Sequence, residues 1–130
     1  MKIFVVLVFF SLIQGCSSTP DNRNQTRADA YLQIGTAHLA KGNYPLALSN
    51  LLEAVRLDPN NAQAQNNLGL AYYVRKRNKE ALHHISEAVR IAPNFTDARN
   101  NRGRLYSDMG RHNEAIKDLT IAKNDLTYQD

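Results

Sequence analysis

Residues 53–60 read EAVRLDPN, and residues 87–94 read EAVRIAPN. The two octets lie 34 residues apart, and a recurrence at a fixed period is the signature of a chain built from stacked units. The register extends beyond the octets: Gly35, Gly69 and Gly103; Ala47, Ala81 and Ala115; Ala54, Ala88 and Ala122; Tyr72 and Tyr106; Ala28 and Ala62; Pro59 and Pro93. In the first half of a unit apolar residues recur at helical spacing, as Tyr31 and Ile34 or Leu68 and Tyr72 do. Ala47, Leu51 and Ala54, then Ala81, Ile85 and Ala88, do the same in the second half. This periodicity predicts two amphipathic helices per unit. Gly42-Asn43 and Gly110 suit a tight turn between them, and Pro59 and Pro93 end the second helix. No single pair can bury its apolar face alone, so successive pairs must stack.

These residues resemble the tetratricopeptide repeat (TPR) pattern. The resemblance implies an all-α solenoid of three helix-turn-helix units, at residues 28–61, 62–95 and 96–129. The third unit departs from the pattern. Arg102 stands where Leu68 does, so its guanidinium either reaches outward or packs less well. Thr127 replaces the terminal proline, and no polar capping helix follows. A fragment of a longer chain, a covering partner or a homo-oligomer would each account for such an end.

The start of the chain reads differently. The apolar run from Ile3 to Ile13 follows a single lysine. It is too short for a membrane-spanning helix, which takes roughly 20 residues, and has the layout of a secretory signal peptide. Ile13-Gln14-Gly15-Cys16 resembles a bacterial lipobox. That likeness implies cleavage after residue 15, with a diacylglycerol on the Cys16 thiol and an acyl chain on its new amino group. Cys16 is the only cysteine, so no disulfide can form within the chain. Two or more acyl chains give stable anchoring where one is marginal. Residues 16–27, SSTPDNRNQTR after the cysteine, are polar enough to read as a flexible tether. Ser17 in place of aspartate favours, by the same resemblance, the outer membrane, with the domain on its periplasmic face.

The formal net charge is +4, from 16 Lys and Arg against 12 Asp and Glu. Such a mild, interspersed excess does not suit nucleic acid, which wants a basic face with stacking aromatics. Arg75, Lys76, Arg77 and Lys79 form the tightest basic cluster, either a solvated turn or a contact for lipid phosphates. No nucleophile elbow, phosphate loop or HExxH motif occurs. His83 and His84, adjacent on a helix, point about 100° apart and make a poor chelating pair. The expectation is a protein without catalytic residues, metal or cofactor, apart from the lipid on Cys16.

Function then falls to the concave surface, which the TPR resemblance places on the first helix of each unit. It implies a partner-binding groove of Leu32, Thr36 and Leu39, then Asn66, Asn67, Leu70 and Tyr73, then Asn100, Asn101 and Arg104. The apolar members, with Val74, could accept side chains of a helix or an extended segment. Asn66 and Asn100 occupy equivalent positions, and an amide can both donate to and accept from a peptide backbone.

A lipobox, a short polar tether and then RADAYLQIGTAHLAKGNYPLALSNLLEAVRLDPNNAQAQNNLGLAYY resemble the TPR lipoproteins of type IV pilus biogenesis, the pilotins. The resemblance implies an outer-membrane scaffold that helps the pilus secretin localise or multimerise. A TPR adaptor for cell-wall hydrolases or for outer-membrane assembly is the alternative. Both readings require a protein partner and no nucleic acid.

Overall fold

The computed structural model describes residues 20–125. The expected signal peptide, the lipobox with Cys16, and Thr127 lie outside the described residues. Six helices follow in order: α1 Pro20–Ala40, α2 Tyr44–Leu57, α3 Ala62–Val74, α4 Asn78–Ile91, α5 Thr96–Asp108 and α6 His112–Lys123. They form three hairpins, α1–α2, α3–α4 and α5–α6, and α2 packs on α3 as α4 packs on α5. Stacking thus follows chain order.

The pairs pack through small residues. Ala47, Ala54, Ala81, Ala88, Ala115 and Ala122 are all buried, and Leu51, Leu68, Ile85 and Leu105 fill the space between helices. At Gly69 the backbones approach so closely that a Cβ would stand 2.4 Å from Cγ1 of Ile85 and 3.0 Å from its backbone nitrogen. Surface features recur at the same period. Arg77 hydrogen-bonds Glu80 and lies over the Tyr72 ring, as Arg111 hydrogen-bonds Glu114 and lies over Tyr106. Glu53–Arg56 and Glu87–Arg90 form a second such series. These pairs are exposed and add little stability.

One local reading needs correction. α1 begins at Pro20, so residues 20–27, expected to belong to a flexible tether, are helical. Proline is well tolerated in a first helical turn, and residues 21–27 contain no glycine or second proline. Thr26 Oγ1 donates to the Asn22 carbonyl at 2.9 Å, and Gln25 Nε2 donates to Asp58 at 3.1 Å, joining the extension to the end of α2. The hairpin turns fall at the expected glycines, and the middle unit places a non-glycine residue at the same point. Gly42 and Gly110 have φ of 74° and 73°, and Lys76, at the equivalent place in the middle unit, has φ of 62°. A side chain in that left-handed region costs roughly 1–2 kcal/mol. The basic cluster therefore sits on a strained turn, with Arg75, Lys76, Arg77 and Lys79 all exposed.

Candidate partner-binding surface

The first helices of the units, α1, α3 and α5, lie side by side. Between them runs a chain of side-chain hydrogen bonds. Asn67 Nδ2 donates to Thr36 Oγ1 at 2.8 Å, Asn66 Nδ2 reaches Asn67 Oδ1 at 3.4 Å, and Asn101 Nδ2 donates to Asn66 Oδ1 at 3.0 Å. Gln63 Nε2 donates to Asn67 Oδ1 at 2.9 Å. Asn66 and Asn67 are buried, where an unsatisfied amide would be costly. These amides serve mainly to fix one unit against the next, and little of them is left to meet a peptide backbone.

Of the other groove residues, Leu32, Leu39 and Tyr73 are half-buried and pack against the core. Leu70 is half-buried, while Arg104 and Val74 are exposed. The Tyr73 hydroxyl donates to Asp108 across the step from the second unit to the third. That bond to a carboxylate, then burial, raises the Tyr73 pKa above the usual phenol range, so the ring stays neutral. Asn100 is separate from the amide chain and lines a cavity of about 240 Å³ with Thr96, Leu119, Ala122 and Lys123. This cavity opens where a further repeat would stack. Leu48 and Leu82 are half-buried against the core, but their counterpart Ile116 is 63% exposed.

At the outer edge of the second and third hairpins one residue bridges to the preceding unit. Gln65 Nε2 donates to the Pro59 carbonyl at 2.9 Å while its Oε1 accepts from His84 Nδ1 at 2.9 Å. One period later, Arg99 Nε donates to the Pro93 carbonyl at 2.7 Å and its Nη1 pairs with Asp118 at 3.1 Å. Arg102 neither reaches into solvent nor packs loosely. Its Nε and Nη2 grip Asp118 at 2.5 and 2.8 Å. The Asp118 side chain is only 4% exposed. This charged cluster was not anticipated from the sequence, although the replacement of Leu68 by Arg102 and of His84 by Asp118 at the 34-residue offset was its signal.

His84 stacks on Tyr72 with ring centroids 5.5 Å apart, and His83 meets its edge at 4.9 Å. Burial, and next the neighbouring His83, push the His84 pKa down to about 4. The unfolded chain, with histidine near its ordinary value of about 6.5, takes up that proton first. Its stability contribution is therefore full above about pH 6.5 and is lost as pH falls toward 4. Because the ring is half-buried and solvent screens it, the loss between pH 7 and pH 5 should be about 1 kcal/mol. Urea unfolding at the two pH values should show that loss, and it should shrink in His84→Gln.

Among the described residues, no three His, Cys, Asp or Glu side chains are grouped to hold a metal ion, and no helix is long and apolar enough to cross a membrane. The surface offers shape, apolar contacts and hydrogen-bonding groups to another polypeptide. A stacked series of helix hairpins with such a face is a protein-interaction scaffold of the solenoid class. Two tetratricopeptide repeat families match the sequence, one over residues 32–94 and the other over 96–120. The chain belongs to the tetratricopeptide repeat proteins.

Solved structures agree on the fold. The second TPR domain of Spaghetti, bound to an HSP90 peptide, superposes with a TM-score of 0.73 at 23% identity, covering 77% of this chain and 93% of that one. MamA gives 0.71 at 28% identity, covering 78% and 59%. PilF of Pseudomonas aeruginosa gives 0.75 at 27% identity, covering 82% of this chain and 48% of PilF, so the match spans about half of that protein's length. No curated protein sequence matches this chain significantly.

Proposed function

We propose that the protein is an outer-membrane lipoprotein, anchored through acylated Cys16, whose concave surface holds a partner in type IV pilus biogenesis and assists secretin localisation or multimerisation. The observation that carries this reading is the likeness to PilF over 82% of the chain at 27% identity, taken with the lipobox Ile13-Gln14-Gly15-Cys16 ahead of the repeats. The partner would contact Leu39, the Tyr73 ring, Val74 and Arg104, because the polar groups of Thr36, Asn66, Asn67 and Asn101, and the Tyr73 hydroxyl with Asp108, are already engaged with one another. A scaffold whose amides are committed internally presents a stiff surface, and a pre-organised surface loses less entropy on binding.

The test is secretin assembly in a deletion strain, read as heat-resistant multimers on an unheated gel. Multimers should vanish on deletion, return with the wild-type chain, and fail to return with Cys16→Ala. Unchanged multimers on deletion would sink the pilus reading and leave the adaptor role for cell-wall hydrolases or outer-membrane assembly.

A further inference from the structure

The three hairpin turns, at residues 41–43, 75–77 and 109–111, lie along one edge of the stack, because α1, α3 and α5 lie side by side and each ends there. The charge excess of the chain gathers at this edge. Residues 38–46, 72–80 and 106–114 hold six lysines and arginines against three carboxylates, whereas the rest of the described residues hold nine against eight. All three carboxylates are engaged, Glu80 by Arg77, Glu114 by Arg111 and Asp108 by Tyr73. Lys41, Arg75, Lys76 and Lys79 are exposed and form no ion pair among the described residues.

The fold does not require these side chains. The counterparts of Lys76 are Gly42 and Gly110, those of Lys79 are Pro45 and Asn113, and that of Arg75 in the third unit is Met109. Lys76 has φ of 62°, where a glycine would sit without strain. A charged side chain kept in a strained backbone conformation points to a use for the charge. The neighbouring turn adds an apolar element. Leu46 is 47% exposed at the position of Glu80 and Glu114, and Pro45 beside it is exposed. The first turn thus carries Lys41 and aliphatic surface, with no carboxylate. Basic residues are drawn to an anionic leaflet, and apolar side chains enter the boundary between its headgroups and acyl chains. None of the four cavities of about 240–480 Å³ includes these residues. A mobile layer of lipid phosphates can meet them all at once, where a bound peptide would need a groove.

We propose that this edge rests on an anionic phospholipid surface, with Lys41, Arg75, Lys76 and Lys79 on lipid phosphates and Leu46 in the headgroup boundary. Cys16 precedes the opposite end of α1, a 21-residue helix about 31 Å long. Acylated Cys16 and the turn edge then hold the domain at two points, with α1 lying along the bilayer. The inference rests on the membrane placement in the proposed function but not on the secretin role, and its test uses neither secretin nor the acyl chain.

The probe is the full chain carrying Cys16→Ala, floated with vesicles of phosphatidylcholine alone or with about 30% phosphatidylglycerol. Binding should be about ten-fold or more tighter to the anionic vesicles, and the difference should shrink at high salt. Lys76→Gly restores the residue of the other two turns. It should bind the anionic vesicles about three- to five-fold more weakly while unfolding at a higher urea concentration, so loss of fold cannot account for the loss of binding. R75Q, K76G and K79N together should abolish the preference. Leu46→Gln should weaken binding about two-fold or more, and Lys117→Gln, which removes one exposed charge from α6, should leave the preference in place. Equal binding to the two kinds of vesicle, binding unchanged in Lys76→Gly or in Leu46→Gln, or an equal loss in Lys117→Gln would overturn the proposal. So would displacement by a glutamate-rich peptide at the same charge concentration as the lipid, which would assign the edge to an acidic protein, or by inorganic phosphate at that concentration, which would reduce it to a simple anion site.

Discussion

Asp118→Ala should destabilise the protein by about 3–5 kcal/mol, because it leaves buried charge without its partner. The carboxylate takes hydrogen bonds from both Arg99 and Arg102, and its side chain is almost wholly excluded from water. Removing it leaves two guanidinium groups facing each other beside an empty volume. The lower end of the range is expected, since each arginine retains some exposure and can swing toward solvent. Repeat proteins divide their stability among units and the interfaces between neighbours. The loss should therefore concentrate in α5 and α6, and hydrogen exchange should accelerate there well before it does in α1 to α4. Asp118→Asn keeps the shape and one acceptor oxygen but not the charge, and should cost less. Changing all three residues to their second-repeat counterparts (R99Q, R102L, D118H) should return stability close to that of the parent, because a neutral set at the same positions is already satisfied one period earlier. A loss under about 1 kcal/mol for Asp118→Ala in urea unfolding would mean that the cluster is not a structural element of the hairpin.

The architecture was legible because a TPR unit depends on a few small residues at fixed positions, and these survive in all three units. Gly35, Gly69 and Gly103 mark where helices touch, and Pro59 and Pro93 mark where they end. Period alone places such residues, with no knowledge of distant contacts. The helical extension of α1 was hidden because residues 20–27 are polar throughout and give no hydrophobic period. Their contact with the rest of the fold is a hydrogen bond from Gln25 to Asp58, 33 residues away. The left-handed Lys76 was hidden for a related reason. Lysine gives no turn signal, and only its alignment with Gly42 and Gly110 reveals that the backbone must turn there. At the candidate surface, the spacing brought the right helices together but could not tell a free amide from an engaged one. Asn66 and Asn100 are equivalent in sequence, but Asn66 is bonded to Asn101 while Asn100 lines a cavity at the end of the stack. Position in the stack decides this, because the third unit has no described neighbour beyond it.

Gly69→Ala separates packing from propensity. On helix propensity alone, alanine should stabilise the middle of α3 by about 1 kcal/mol relative to glycine. The packing points the other way. The new methyl would lie 2.4 Å from Cγ1 of Ile85, 3.0 Å from the Ile85 nitrogen and 3.1 Å from the Ala81 carbonyl oxygen. Ile85 is fully buried, so its side chain cannot swing aside, and the backbone of α4 blocks the remaining directions. Relief requires the two helices to move apart, and overpacking of that kind costs about 1–3 kcal/mol or somewhat more. The net result should be a loss of about 2 kcal/mol in urea unfolding, once the propensity gain is set against a cost at the upper end of that range. Gly103→Ala supplies the comparison. Its methyl would meet Cγ of Leu119 at 2.7 Å, but Leu119 is only half-buried beside the cavity at the end of the stack and can yield. That variant should lose less than Gly69→Ala. The middle unit also carries both halves of the amide chain, with Asn67 on Thr36 and Asn66 on Asn101. Spreading α3 from α4 tilts α3 relative to α1 and α5, so partner binding at the concave surface should weaken in Gly69→Ala even where the protein remains folded. If Gly69→Ala proves more stable than the parent, the close approach of α3 and α4 cannot be what sets the geometry of the stack.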